Sequence, residues 1–192
     1  MQPMGEKGRP EMEGLFETER LIIRPFREAD AQALYENHVD DAVRTWFPNE
    51  CYQDVEEAGD AIRFYAACVK KGQLPFVLGA EEKATGELIG DAGVSQVEGK
   101  PREVEVGYCV GCKYRRRGYA AELLRGISDY IAARFSVGVI YGRVVHGNEG
   151  SVKVLEKNGY QFVGEAFGEE DDPYGKGMLI YKKEFPNGSK TP

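Results

Sequence analysis

The residues best suited to chemistry lie in one basic segment, residues 114–124 (YRRRGYAAELL). An apolar run typical of a strand precedes it, and helical spacing of apolar residues follows it. Backbone N–H groups at the start of a helix lack acceptors within the helix, and the helix dipole adds positive character there. Gly118 permits close approach of a ligand to the backbone, and Ala120 keeps the first turn free of bulk. The segment therefore predicts a site for a phosphate or pyrophosphate group.

Cys109 and Cys112 have a spacing that also serves redox and zinc chemistry. A tetrahedral zinc site needs two further ligands, and the remaining cysteines and histidines form no second paired motif. A redox pair is expected to open a helix, whereas here a strand leads into the pair. We therefore expect a buried strand thiol, a loop thiol and no metal. Without an export signal, the thiols are expected to be reduced.

Composition favours one domain that does not bind DNA. The chain has 192 residues, of which 42% are hydrophobic and 30% charged, and its formal net charge is −7. That balance disfavours nucleic acid as a partner, and no apolar run reaches the length needed to span a membrane. We expect disordered tails at residues 1–14 and 186–192 around a single domain at residues 15–185. The polar start is unlike a secretory signal, so we expect a cytoplasmic protein.

Hydrophobic periodicity predicts seven strands and four helices. The strands are expected at residues 18–24, 73–80, 88–97, 104–110, 137–145, 160–164 and 177–183, and the helices at residues 28–38, 54–71, 119–135 and 148–158. A meander of three strands before the third helix differs from the alternating order of a dinucleotide-binding fold. The basic turn also lacks the Gly-Lys-Ser/Thr of a P-loop, so we do not expect hydrolysis of nucleoside triphosphates.

Three segments, in this order and spacing, resemble one family. They are residues 17–26 (ETERLIIRPF), 105–122 (EVGYCVGCKYRRRGYAAE) and 148–160 (NEGSVKVLEKNGY). Together they resemble the GNAT superfamily of acetyl-CoA-dependent N-acetyltransferases, and more closely its branch of ribosomal-protein N-terminal acetyltransferases. The resemblance covers roughly residues 16–184. It implies an α/β (α+β) GNAT fold, with a mixed, mostly antiparallel twisted sheet that splays between the fourth and fifth predicted strands.

The resemblance also implies where acetyl-CoA binds. The pantetheine arm is expected in the splayed gap, bonded to main-chain groups of the fourth strand, and the pyrophosphate on the amides of residues 116–121. The cofactor-binding residues implied are Tyr108, Cys109, Val110, Arg115, Arg116, Arg117, Gly118, Tyr119, Ala120, Ala121 and Asn148. The strand residues serve equally in a plain core strand, since the contacts are main-chain ones. Asn148 is equally well explained as a helix N-cap.

The catalytic groups implied by the resemblance are incomplete. Many members of the superfamily protonate the departing thiolate with a tyrosine seven residues after the asparagine, a position held here by Leu155. The ribosomal-protein branch has a serine at the position of Ser151, although this residue also suits the first turn of a helix. Arg143 occupies the position of a glutamate base found in some peptide acetyltransferases. Glu105 is a candidate base acting through water, or an ordinary charge on a strand face.

The expected reaction is direct attack of a primary amine on the acetyl thioester in a ternary complex, without a metal. The acceptor is a protein N-terminus or a small molecule. At pH 7, deprotonation costs about 1.4 kcal/mol for an α-amine and about 4.6 kcal/mol for a lysine, which weakly favours the α-amine where no dedicated base is evident. Acceptor contacts are expected between the first two predicted helices, where the aromatic residues of 46–48 and Tyr52 lie beside Asp40, Asp41 and Glu50. A hydrophobic lid over the core explains these aromatic residues equally well.

Other functions remain open at this point. The main alternative is a GNAT-fold protein that binds CoA compounds as a sensor, with little or no catalysis, because the usual tyrosine and glutamate are missing. Transfer of another acyl group, or binding to RNA, is less favoured. The family also implies a homodimer.

Overall fold

The computed structural model describes residues 14–47, 50–168 and 175–186. The predicted tails fall outside these residues, apart from Gly14 and Pro186. Among the described residues, no helix combines the length and the apolar composition that crossing a lipid bilayer requires.

The described residues form eight strands and five α-helices. The strands are β1 (Phe16–Glu17), β2 (Leu21–Arg24), β3 (Phe76–Glu82), β4 (Leu88–Gln96), β5 (Glu103–Val110), β6 (Val139–Val145), β7 (Gln161–Ala166) and β8 (Met178–Glu184). The helices are α1 (Ala31–His38), α2 (Asp41–Trp46), α3 (Val55–Lys71), α4 (Tyr119–Phe135) and α5 (Glu149–Lys157). The mixed α/β class is confirmed, with β1 and α2 in addition to the seven strands and four helices predicted.

Capping residues set the start of three helices. The Asp40 carboxylate accepts hydrogen bonds from the Ala42 and Val43 amides and so begins α2. Asp54 accepts from the Glu57 amide at the start of α3. The Asn148 side chain accepts from the Ser151 amide at the start of α5. At the other end of α3, Gly72 has a left-handed backbone (φ 64°) and ends the helix.

The sheet has the order β1-β2-β3-β4-β5-β6-β8-β7. Its pairs are antiparallel except that β5 and β6 run parallel, and these two strands pair only through residues 103–105 and 139–141. Beyond residue 105, β5 keeps its pairing with β4 as far as Val110, whereas its other edge has no strand partner among the described residues. This divergence confirms the predicted splay.

Helix α4 packs on one face of the sheet and fixes where the basic turn lies. Its residues Leu123, Leu124, Ile127 and Ile131 are fully buried, as their helical spacing predicts. They join a core cluster that includes Val104, Val106 and Val110, which share a face of β5. The turn that precedes α4 is thereby held at the end of β5, beside the gap.

Candidate active site

The basic turn has the backbone form of an anion-binding concavity. Arg116 and Gly118 both have positive φ, 62° and 85°, and residues 116–118 are exposed. A left-handed backbone suits glycine but is costly for arginine, a combination that concentrates at functional sites. Within the described part of the chain, the amides of residues 116–121 have no hydrogen-bond acceptor, and the first intrahelical bond runs from Glu122 to Gly118. Several amides therefore point outward at the positive end of α4.

An ion-paired network holds this turn in place. The Glu122 carboxylate accepts hydrogen bonds from the Thr18 hydroxyl (2.6 Å), the Arg20 amide (2.7 Å) and the Arg20 guanidinium (2.7 Å). Although burial opposes the charge of Glu122, these hydrogen bonds hold its pKa below the usual range. Arg20 also donates to the Arg117 carbonyl at 2.9 Å. The network ties the turn to the start of β2.

The three arginine side chains of the turn differ in their surroundings. Arg115 is engaged away from the turn: it donates to the Val110 carbonyl (2.8 Å) and forms a bidentate pair with Asp40 (3.0 and 2.6 Å). Arg117 lies 3.7 Å from the Glu82 carboxylate. Arg116 makes no ion pair with any described residue. The predicted charge assistance to a phosphate therefore rests mainly on Arg116 and Arg117, since the guanidinium of Arg115 is already occupied.

The side chain of Tyr119 is a packing residue. It is 4% exposed, its hydroxyl is hydrogen-bonded to Glu82, and the Arg20 guanidinium stacks 4.1 Å from its ring centroid. Its contribution to the predicted site is its main-chain amide, like those of Ala120 and Ala121 in the same first helical turn.

The open edge of β5 carries main-chain groups toward the gap. Gly111 donates to the Ile89 carbonyl of the β4 side at 2.9 Å. Because main-chain groups alternate sides along an antiparallel strand, Val110 and Tyr108 face away from β4. Cys109, which pairs with Asp91, turns its main-chain groups toward β4. This register supports the prediction for Tyr108 and Val110 and not for the main chain of Cys109.

Ser151 lies in the first turn of α5, opposite Tyr108. The Asn148 side chain accepts a hydrogen bond from the Ser151 amide at 3.2 Å, so the N-cap explanation of Asn148 is confirmed. The Ser151 hydroxyl is 2.8 Å from the Tyr108 hydroxyl. Burial raises the pKa of Tyr108 to about 12, although the hydrogen bond to Ser151 acts in the opposite direction. The phenol is therefore neutral at physiological pH.

A cavity of about 420 Å³ lies between the open part of β5 and the segment that runs from α1 to α3. Its aromatic lining comprises Trp46, Phe47, Tyr52, Phe64 and Tyr65, and its charged or ionisable lining comprises His38, Glu50, Asp91, Glu105 and Arg143. The lining also includes Gly107, Tyr108 and Cys109 of β5, so the cavity adjoins the gap. Trp46, Phe47, Glu50 and Tyr52 of the predicted acceptor region thus line this cavity.

His38 and Asp91 form an ion pair in the cavity wall. The His38 Nε2 atom is 2.7 Å from the Asp91 carboxylate, and Nδ1 is 2.8 Å from the Glu50 carbonyl. Burial lowers the pKa of His38, but the Asp91 charge and hydrogen bond outweigh it and raise the pKa from 6.5 to about 12. The Cys109 thiol is close, with ligand-type atoms of all three residues within 4.8 Å. Hydrogen bonds at both ring nitrogens fix His38 as an imidazolium, which is not a base.

Two other ionisable residues, Glu105 and His146, differ in position. Glu105 lines the cavity, and its carboxylate is 3.9 Å from the Arg143 guanidinium. His146 is paired with Glu165 at 3.4 Å and stacks on Phe167 at the surface, outside the cavity lining. Glu105 is therefore the candidate base that the fold brings to the cavity. The two thiols of the Cys-x-x-Cys motif separate as expected, Cys109 buried and Cys112 exposed.

The sequence interpretation missed the His38–Asp91 pair and the Arg20–Glu122 network. The available signal for the first was Asp91, an aspartate within an otherwise apolar strand. The available signal for the second was Glu122, which occurs on an otherwise apolar helical face and is 6% exposed.

Comparison with known proteins agrees with this architecture. Residues 20–161 match the family model described as the acetyltransferase (GNAT) domain. The chain is similar to the uncharacterized N-acetyltransferase YoaA of Bacillus subtilis (strain 168), with 30% identity over 147 residues, which cover 77% of this chain and 82% of YoaA.

Solved structures share the fold at lower identity. A GNAT-family acetyltransferase from Bacillus anthracis superposes with a TM-score of 0.75 and 21% identity, covering 88% of this chain and 96% of that one. The ribosomal-protein-S5-alanine acetyltransferase from Vibrio fischeri gives a TM-score of 0.74 and 20% identity, with 88% and 95% covered. With a family model matched over most of its length, the chain belongs to the GNAT family of acetyltransferases.

Proposed function

We propose that this protein transfers an acetyl group from acetyl-CoA to a primary amine in a ternary complex. The observation that carries the proposal is the open edge of β5, which runs from the outward-pointing amides of the basic turn to the aromatic cavity. A pyrophosphate on the turn and a pantetheine arm along Tyr108 and Val110 bring the thioester to the mouth of the cavity. The arm then acts as a surrogate strand, bonded to the Val110 amide and the Tyr108 main-chain groups that β6 leaves unpaired, since the Val110 carbonyl already accepts from Arg115.

The cavity favours an amine that is already partly neutral at pH 7. His38 holds its proton, and the Glu105 carboxylate already lies 3.9 Å from the Arg143 guanidinium. Without a strong base, an α-amine costs about 3 kcal/mol less to deprotonate than a lysine. The acceptor class that fits best is therefore an N-terminal α-amine of a peptide or a small amine of similar pKa.

Ser151 is the proposed donor to the departing sulfur. The amine nitrogen bonds to the acetyl carbon, the carbon–sulfur bond breaks, and the thiolate takes a proton from the serine hydroxyl. The attacking nitrogen becomes positively charged when it bonds to the acetyl carbon. It returns a proton to the serine, directly or through water. No proton is consumed overall, because the amine supplies the proton that CoA gains.

The test is thiol release from acetyl-CoA with matched acceptors. One peptide carries a free N-terminus and no lysine, and the other has a blocked N-terminus and one lysine. We expect amine-dependent release that is faster with the first peptide. Saturable CoA binding without amine-dependent release would instead support the sensor alternative.

The turn is tested with two glycine variants. Gly118→Glu places bulk and negative charge at the proposed pyrophosphate site, and we expect it to abolish CoA binding. Gly99→Glu is the control, because Gly99 has a similar φ of 70° in the β4–β5 turn and no atom within 4 Å of an added Cβ. If Gly118→Glu binds CoA with wild-type affinity, the turn does not bind the pyrophosphate.

A further inference from the structure

The hydroxyl pair of Tyr108 and Ser151 joins two elements that are far apart in sequence. Tyr108 lies on β5 and Ser151 on α5, 43 residues later, with 2.8 Å between their hydroxyl oxygens. Leu155 leaves α5 without a hydroxyl one turn further along. The phenol of Tyr108 thus brings a second hydroxyl group to the same region from the facing strand.

A second contact allows the phenol to act as the donor in this hydrogen bond. The Tyr108 hydroxyl also lies 3.4 Å from the Ser151 main-chain carbonyl, which can only accept. In one arrangement, the phenol proton points between the two Ser151 oxygens and donates to both. The serine oxygen then accepts from Tyr108, and its own proton is directed elsewhere. Among the described residues, the Ser151 hydroxyl has no other hydrogen-bond partner.

Both partners are held rigidly. Tyr108 is paired through β5 with Ala92 of β4, and its ring packs against the main core. The Ser151 amide is fixed by the Asn148 side chain at 3.2 Å and by the Asn148 carbonyl at 3.1 Å. A donor held in place in this way loses little freedom when the reaction occurs.

We propose that Tyr108 is a positioning residue that orients Ser151, so that the serine proton points at the sulfur of CoA as the thioester breaks. The inference rests on the proposed acetyl transfer. Tyr108 keeps its own proton throughout.

The experiment uses three variants and one matched control. Tyr108→Phe removes only the phenol oxygen, Ser151→Ala removes the donor, and the double variant removes both. The control is Tyr160→Phe, because the Tyr160 hydroxyl makes the same kind of bond, 2.8 Å from the Ser128 hydroxyl, in the buried core behind α4. Turnover, the KM for acetyl-CoA and thermal unfolding are measured for each.

We expect Tyr108→Phe to lower kcat about tenfold while the KM for acetyl-CoA changes less than about twofold, the effect of losing one oriented hydrogen bond in the transition state. Ser151→Ala is expected to lower kcat at least as much, and the double variant no further than Ser151→Ala. Tyr160→Phe is expected to keep the wild-type kcat. These results together support the positioning role.

Two results would overturn the inference alone: multiplicative losses of kcat in the double variant, or an equal loss of kcat in Tyr160→Phe. The first means that Tyr108 acts independently of Ser151, and the second that any buried Tyr–Ser bond has the same effect. Absence of amine-dependent thiol release by the unsubstituted protein would overturn the proposed function and this inference together.

Discussion

The His38–Asp91 pair makes a quantitative prediction about the pH dependence of stability. In the folded protein the pKa of His38 is raised from 6.5 to about 12. A raised pKa stabilises the fold fully below pH 6.5, and the stabilisation is lost as the pH rises toward 12. Between these limits the folded state holds one more proton than the unfolded state. The contribution of His38 to the free energy of unfolding therefore falls by about 1.4 kcal/mol for each unit by which the pH rises.

Asp91→Asn removes the cause of the raised pKa. Burial then dominates and lowers the pKa of His38, so the folded variant no longer holds the extra proton above pH 6.5. Removing one partner of a buried ion pair costs about 3–5 kcal/mol near pH 7, or about 6–20 °C in Tm for a chain of this size. The difference between wild type and variant is expected to shrink by about 1.4 kcal/mol from pH 7.5 to 8.5.

Urea unfolding followed by the fluorescence of the single tryptophan, Trp46, measures this difference at pH 6.5, 7.5 and 8.5. Asp60→Asn is the control, since its pair with Arg63 is exposed and such pairs contribute little. Its free energy of unfolding is expected to parallel that of the wild type. If the free energy of unfolding of Asp91→Asn changes with pH in parallel with that of the wild type, His38 is neutral in the folded protein. The argument that it is not a base in the cavity then fails.

Two further predictions concern the strand ends around the gap. Arg115→Gln is expected to raise the KM for the acceptor at least fivefold while the CoA dissociation constant changes less than twofold, since the guanidinium holds Asp40 at the start of α2. Steady-state kinetics measures the KM, and titration measures the CoA dissociation constant. A larger loss of CoA affinity would mean that Arg115 contacts the phosphates of CoA. Gly90→Ala is expected to cost about 1–3 kcal/mol, because its Cβ would lie 2.3 Å from a main-chain oxygen of β5; an unchanged Tm would contradict this close approach.

The sequence predicted the features that depend on neighbouring residues. The helical spacing of Leu123, Ile127 and Ile131 predicted the buried face of α4. The sequence also predicted a turn at Gly118 before this helix, and the structure adds that Gly118 is left-handed. Helix α2 was missed because six residues are too few to show periodicity, and only the capping Asp40 marks its start. The two-residue strand β1 left no pattern at all.

The cavity was predicted only in part, for a physical reason. The residues at positions 46–52 were expected near the acceptor, but the opposite wall comes from β4 and β5. The ion pair of His38 with Asp91 spans 53 residues, and that of Arg115 with Asp40 spans 75. Hydrogen bonds between residues this far apart in sequence depend on the register of the sheet, and local hydrophobic periodicity does not predict that register.

By itself, the sequence determined the local chemistry of this protein: a turn whose amides and positive charge suit a diphosphate, followed by an amphipathic helix, in an order that resembles one family. The tertiary structure alone decided which groups share a site. It set His38 as a charged partner of Asp91, directed Arg115 to Asp40, and brought the Tyr108 phenol to Ser151. Side-chain pKa values and hydrogen-bond directions depend on neighbours within a few ångströms, and only the packed sheet and helices supply those neighbours.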